Sequence, residues 1–189
     1  MGATRIPEPP MPDGRVIWHF TMSLDGFVAG PGHDMAWLAR GEGRPGYEEE
    51  YITTTGAVIG GRDGFDAFPP DATYGGAWQG PQFILTHHPD DAPETPGVTF
   101  VSGDLAEVVR RARVAAGGKN VEVLSMQVGR QLLELGLIDT IDLTIAPVLL
   151  GDGIRVFDRP GGTPFPLELV NGDGPGADVE LRYRPAPPA

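Results

Sequence analysis

The sequence predicts an α/β domain with a mostly parallel central sheet, flanked by helices and closed at one edge by antiparallel strands. Three observations predict it. Short apolar runs rich in branched and aromatic residues recur from Val16 to Leu124, amphipathic helical segments alternate with them, and after Asp139 the hydrophobic period changes to two.

The first run, Val16-Ile17-Trp18-His19-Phe20, reads as a strand buried on both faces. Ala57-Val58-Ile59, Phe83-Ile84-Leu85, Val98-Thr99-Phe100-Val101 and Val121-Glu122-Val123-Leu124 repeat its pattern and end at turn or cap residues. Leu105, Val108, Val109, Ala112 and Ala116 fall at helical spacing, with Asp104 and Glu107 placed as a capping pair and Gly117-Gly118 as the stop. A second helix carries Val128, Leu132, Leu133 and Leu135 and ends at Gly136; a third is predicted from Tyr47 to Thr54. Then Ile141, Leu143 and Ile145 alternate with Thr140, Asp142 and Thr144, the signature of a strand with two unlike faces. Pro164 to Val170 and Asp178 to Tyr183, joined across Asn171-Gly172-Asp173-Gly174-Pro175-Gly176, read as the antiparallel pair. Pro-rich tails are predicted over residues 1–13 and 185–189, so that residues 14–184 form one domain.

Composition narrows the function classes. A net charge of -12, from 14 basic and 26 acidic residues, argues against nucleic acid or an anionic membrane as the main partner. With no cysteine there is no disulfide, thiolate metal site or cysteine nucleophile. No stretch approaches the ~20 apolar residues of a membrane span, and the N-terminal segment lacks a signal-peptide core, so a cytoplasmic protein is expected. His87 and His88, beside Asp90 and Asp91, point opposite ways in an extended segment and read as a loop, not a metal site. No metal site is predicted. His19 reads as a satisfied core or pocket histidine, and Glu48-Glu49-Glu50 as a solvated helix face.

Gly41-Glu42-Gly43-Arg44-Pro45-Gly46 matches a dinucleotide fingerprint in letters but has no strand before it and a proline inside it, so it is read as a loop. Thr21-Met22-Ser23-Leu24-Asp25-Gly26-Phe27-Val28-Ala29-Gly30 carries more, because it follows a buried strand and places a carboxylate and glycines at its carboxyl end, where open α/β sheets bind ligands. The loop Pro31-Gly32-His33-Asp34-Met35-Ala36-Trp37-Leu38 could close over a bound ring. Gly60-Gly61-Arg62 fits an anion site, with glycine for close approach, main-chain N–H groups and a bidentate guanidinium.

Ser23-Leu24-Asp25-Gly26-Phe27-Val28-Ala29 resembles the opening of the dihydrofolate-reductase-like and riboflavin-type reductases. Gly56-Ala57-Val58-Ile59-Gly60-Gly61-Arg62, Phe83-Ile84-Leu85-Thr86-His87-His88-Pro89 and Pro147-Val148-Leu149-Leu150-Gly151-Asp152-Gly153-Ile154-Arg155-Val156-Phe157 follow in the family's order, across nearly all of residues 15–183. The resemblance is to the reductase half of the bacterial riboflavin deaminase-reductase. It implies the dihydrofolate-reductase-like fold, NADPH (or NADH) as hydride donor, and a small heterocyclic substrate, pteridine-like or aminouracil-ribityl-like. It also implies a homodimer. By the same resemblance Ala29, Gly30, Gly60, Gly61, Arg62, Thr86, Ser125 and Gln127 line the cofactor. Asp25 touches substrate or delivers a proton, with a pKa expected to be raised by burial, and Trp37 packs on the closing loop. Two departures keep alternatives open. Asp63 follows Arg62, which leaves NADPH against NADH undecided, and Leu124-Ser125-Met126-Gln127 stands where the family has a glycine pair. The second departure allows a non-catalytic binder of a small molecule or nucleotide.

Overall fold

The computed structural model describes residues 14–40, 46–68, 70–158, 160, 167–173 and 179–185. Ten strands, β1 (Val16–Ser23), β2 (Phe27–Ala29), β3 (Thr55–Gly61), β4 (Gln82–Leu85), β5 (Val98–Val101), β6 (Asn120–Val123), β7 (Thr140–Ala146), β8 (Ile154–Arg155), β9 (Leu167–Asp173) and β10 (Val179–Pro185), and four α-helices, α1 (Tyr47–Thr54), α2 (Arg62–Ala67), α3 (Leu105–Ala116) and α4 (Met126–Glu134), form the described architecture. Eight strands make one sheet in the order β5-β4-β3-β6-β1-β7-β10-β9, and β2 pairs with β8 in a small second sheet. All pairings from β5 to β7 are parallel, while β10 runs antiparallel to both β7 and β9. The dihydrofolate-reductase-like class read from the sequence is the class observed.

One face of the sheet is an apolar core. Val16, Trp18 and Phe20 of β1, Ala57 and Ile59 of β3, and Val121 and Val123 of β6 meet Val108, Val109, Ala112 and Ala116 of α3 and Val128, Leu132 and Leu133 of α4. Both helices present an apolar stripe at 3.6-residue spacing, which is why they lie on this face. The contact between α4 and β1 needs a glycine. A Cβ on Gly129 would lie 2.2 Å from Trp18 Cε2, so the helix backbone rests directly on the indole.

Several local expectations change. Asp104 caps α3 by accepting from Ala106 N at 3.0 Å, but Glu107 closes no capping box; it pairs instead with Arg110 Nη2 at 2.5 Å. On β7 the polar side of the alternation is the covered one: Thr140, Asp142 and Thr144 are buried while Leu143 and Ile145 are partly open. A period of two gives the faces without saying which face another element will cover. The antiparallel pair sits later than expected. Asn171, Gly172 and Asp173 belong to β9, and Arg184 and Pro185 to β10. Residues 1–13, 41–45, 69, 159, 161–166, 174–178 and 186–189, with the expected N-terminal tail and the Gly41 to Pro45 loop among them, lie outside the described residues. Among the described residues no helix is long and apolar enough to cross a membrane.

The Gly129 contact gives a direct stability test. Gly129→Ala forces a methyl into the Trp18 ring, and overpacking of this kind costs about 1–3 kcal/mol. Urea unfolding should show that loss as a lower midpoint at unchanged slope.

Candidate functional site

The parallel strands end at different heights, and that difference makes a crevice. β6 stops at Val123, level with Ile59 of β3 and Trp18 of β1, whereas β3 continues to Gly61 and β1 to Ser23. Into the gap beyond β6 comes the N-terminus of α4. Leu124 N donates to Ile59 O at 3.0 Å, and Ser125 then caps the helix, its hydroxyl accepting from Val128 N at 3.4 Å. A Cβ on Gly61 would stand 2.8 Å from Ser125 Oγ, so Gly61 admits the turn that carries Ser125. At β4, Thr86 N is held by Val101 O at 2.9 Å and its hydroxyl accepts from His88 N at 3.2 Å. Gly60, Gly61, Thr86, Ser125 and Gln127 thus share the carboxyl edge of the sheet.

The crevice fits a phosphate-bearing cofactor in its donors. The first N–H groups of a helix have no intrahelical acceptor; Ser125 takes that of Val128, which leaves Met126 and Gln127 N–H at the mouth. Arg62 begins α2 and is already engaged, its Nε donating to both carboxylate oxygens of Asp66 at 2.7 and 2.8 Å, with its guanidinium 5.6 Å from the Phe100 ring centroid. A ligand phosphate at Arg62 would therefore compete with Asp66. Ala29 and Gly30 lie elsewhere, on and just after β2. Ala29 is paired with Ile154 of β8, and Gly30 N donates to Asp34 O at 2.8 Å. Trp37, in the 3-10 turn Ala36–Arg40, is buried, and its indole N–H has no partner among the described residues.

Asp25 departs from expectation. Ser23 Oγ donates to its Oδ1 at 2.6 Å, and Leu150 N and Gly151 N donate at 3.1 and 2.7 Å. The carboxylate ties the turn after β1 to the loop after β7, with Leu24 N on Val148 O and Val156 N on Gly26 O completing the join. Its pKa is lowered to about 2, not raised; the Ser23 hydroxyl is the largest cause, burial opposes it, and the amides of Leu150, Gly151 and Asp25 itself add to the lowering. Donors around the charged form outweigh desolvation, so Asp25 stays ionised and is a poor proton donor.

The opposite face of the sheet holds a group of polar residues that sequence reasoning passed over. Glu122 of β6 is fully buried. His19 Nδ1 and the Tyr74 hydroxyl both bond to its Oε1, and Thr55 Oγ1 donates to Oε2 at 3.1 Å. Tyr74 Oη also lies 3.2 Å from His19 Nδ1. His19 stacks on Tyr51 of α1, ring centroids 3.9 Å apart, and Tyr51 donates to Asp142 Oδ2 at 2.8 Å. His19 and Asp142 are register partners. The satisfied pocket histidine is as read, but its partners were missed. The one signal in the sequence was a glutamate inside the apolar run Val121 to Val123. Glu48 and Glu49, by contrast, are exposed.

Beside the loop that Asp25 holds, a groove of about 380 Å³ is lined by Phe27, Arg130, Gly151, Asp152, Arg155 and Asp158 among others. Arg155 lies over the Phe27 ring, 4.5 Å from its centroid, and Arg130 donates to Asp158 O at 3.1 Å.

The clamp at Asp25 has an acid signature. A carboxyl whose folded pKa falls from 3.8 to about 2 stabilises the fold above its ordinary value, and that contribution disappears as pH falls through 2. Comparing urea midpoints of the wild type and Asp25→Asn, the gap should be constant above pH 3.8 and shrink between 3.8 and 2. A gap that ignores pH would show that the charge is not what holds the loop.

Comparison with known proteins agrees with this fold. A protein from Shewanella sp. PV-4 assigned to riboflavin biosynthesis superposes with a TM-score of 0.72 at 19% identity, covering 92% of this chain and 99% of that one. A diaminohydroxyphosphoribosylaminopyrimidine deaminase/5-amino-6-(5-phosphoribosylamino)uracil reductase from Thermotoga maritima superposes at 0.68 and 14% identity, covering 91% of this chain and 56% of the other, so this chain spans little more than half of that protein. Dihydrofolate reductase from Enterococcus faecalis, in a complex with NADP(H), gives 0.59 at 13% identity over 92% and 98% of the two chains. No curated protein matches the sequence. The profile of the RibD C-terminal domain matches residues 15–171. With that match across most of its length, the chain belongs to the RibD C-terminal domain family, whose members include reductases.

Proposed function

We propose that this protein is an NADPH-dependent reductase, with NADH as the alternative donor, acting on a C=N or C=O bond of a small heterocycle of pteridine-like or aminouracil-ribityl-like type. The observation that carries the reading is the close contact of Gly61 with Ser125 at the start of α4, which sets two helix N–H groups at the mouth of the crevice beyond β6. When bound, the nicotinamide supplies the hydride. The chain's own part is to bind, orient and exclude water. Met126 and Gln127 N–H and the Ser125 hydroxyl hold phosphate oxygens, Arg62 meets the adenosine phosphate, and Gly60 and Thr86 line the adenosine side. Ala29, Gly30 and Trp37 border the nicotinamide end, and Asp25 fixes the loop after β7 against the β1 turn and contacts substrate as an ionised group.

A second reading, a binder without turnover, is favoured by Ser125-Met126 in place of a glycine pair. NADPH oxidation with a reducible dihydropterin or a ribosylaminouracil would rule it out; tight binding with neither oxidised would support it. The antiparallel pair β9 and β10 at the sheet edge suits a homodimer, for which light scattering is the check, and the protein is assigned to the cytoplasm.

Calorimetry with NADPH and NADH separates the donors. Arg62→Ala should weaken NADPH at least ten-fold, about 1.4 kcal/mol, and NADH little. Asp66→Asn, which releases Arg62, should strengthen NADPH a few-fold. Equal affinity of wild type and Arg62→Ala for NADPH would remove Arg62 from the site.

A further inference from the structure

We infer that Tyr74 is the proton donor of this reductase and that His19 and Glu122 are the positioning residues that recharge it. The inference rests on the reductase reading. Reduction of C=N or C=O requires a proton as well as a hydride, and Asp25, held ionised by its donors, does not provide it. The polar group around Glu122 is built for that task.

Glu122 has no exposure, yet it lies in a central strand and collects three hydrogen bonds, from Thr55, Tyr74 and His19. A carboxylate sealed in this way is costly unless its neighbours are fixed. Its Oε1 is shared by Tyr74 and His19, whose own atoms are 3.2 Å apart, so phenol, carboxylate and imidazole form a closed triangle. Tyr74 is the half-buried corner of the triangle, while Glu122 is sealed beneath it. Its backbone is held at φ 51°, in the left-handed region, followed by Gly75 and Gly76 at 61° and 85°. That region is unfavourable for a tyrosine, and such strain persists where surrounding contacts dictate it. Here the contact is the phenol on Glu122. Among the described residues, Tyr51 of α1 is stacked on the His19 ring and Asp142 of β7 is the register partner of His19; Arg182 of β10 is in turn the register partner of Asp142.

The step balances. As hydride adds to the substrate carbon, the π pair moves to the heteroatom, which takes the Tyr74 hydroxyl proton. The phenolate is reprotonated from His19 Nδ1 across the 3.2 Å contact, a step that balances when the ring enters it protonated on both nitrogens. After product leaves, water returns a proton to Nδ1 through Tyr74, and Glu122 holds both groups in place throughout.

The test separates a proton path from a mere cover. In the full chain with nitrogen-15 histidine, the His19 Nδ1–H, assigned by its loss in His19→Gln, is followed as it exchanges with heavy water. If Tyr74 carries the proton, Tyr74→Phe slows that exchange ten-fold or more. If Tyr74 only covers the site, losing its bond to Glu122 loosens the segment and exchange is unchanged or faster, which overturns the inference. This readout needs neither cofactor nor substrate, so it is independent of whether NADPH binds. With dihydropterin or ribosylaminouracil turnover in hand, Tyr74→Phe should lower kcat at least ten-fold with NADPH affinity unchanged, and Glu122→Gln should displace the pH profile of kcat. Full kcat in Tyr74→Phe also overturns it.

Discussion

A carboxylate buried in the middle of a sheet constrains everything packed over it. Glu122 stands in β6 with an apolar core on one side of its strand and His19, Thr55 and Tyr74 on the other. Left unpaired, such a charge would cost several kcal/mol, so the 3-10 segment Pro70–Gly76 must bring a hydroxyl to it and β3 must start with a threonine at that height. The same demand fixes Tyr51 through the ring of His19, and α1 through Tyr51. One face of the sheet is thus held by apolar area, and the other adds these hydrogen bonds to buried Ile17, Val58 and Ile84.

The second constraint is the length of β6. Because it ends at Val123 while its neighbours run on, the central sheet has a notch at its carboxyl edge, and α4 starts inside that notch. Gly61 and Gly129 both lack a side chain for the same reason, the close approach of α4: one at Ser125, the other at Trp18. Packing that seats the helix is also what aims its first N–H groups at the crevice. Stability and binding therefore share the same contacts, and mutations on the inner face of α4 should act on both.

Much of this was legible in the sequence, and the parts that were not share a cause. Leu105–Ala116 is a helix where periodicity and end signals put it, Tyr47–Thr54 is a helix over the span read, and the strands alternate with helices as read. Gly60, Gly61, Thr86 and Ser125 meet at one edge because strand ends in a parallel sheet do so by topology. Properties set by tertiary partners were not legible. The sign of the Asp25 shift depends on amides of Leu150 and Gly151, distant in the chain, and on a Ser23 rotamer. Glu107 had Arg110 available as a competitor for the cap. Tyr74 gave no signal at all, since a tyrosine in a glycine-rich turn looks like surface until Glu122 is seen beneath it.

The most direct test of the crevice is an amide chemical-shift map of the protein titrated with NADPH. Saturable shifts should concentrate at Gly61, Thr86, Ser125, Met126 and Gln127, with a weaker set at Ala29 and Gly30. Shifts confined to the groove of Arg130 and Arg155, or none at millimolar NADPH, would contradict it, and the notch beyond β6 would then be a feature of packing alone.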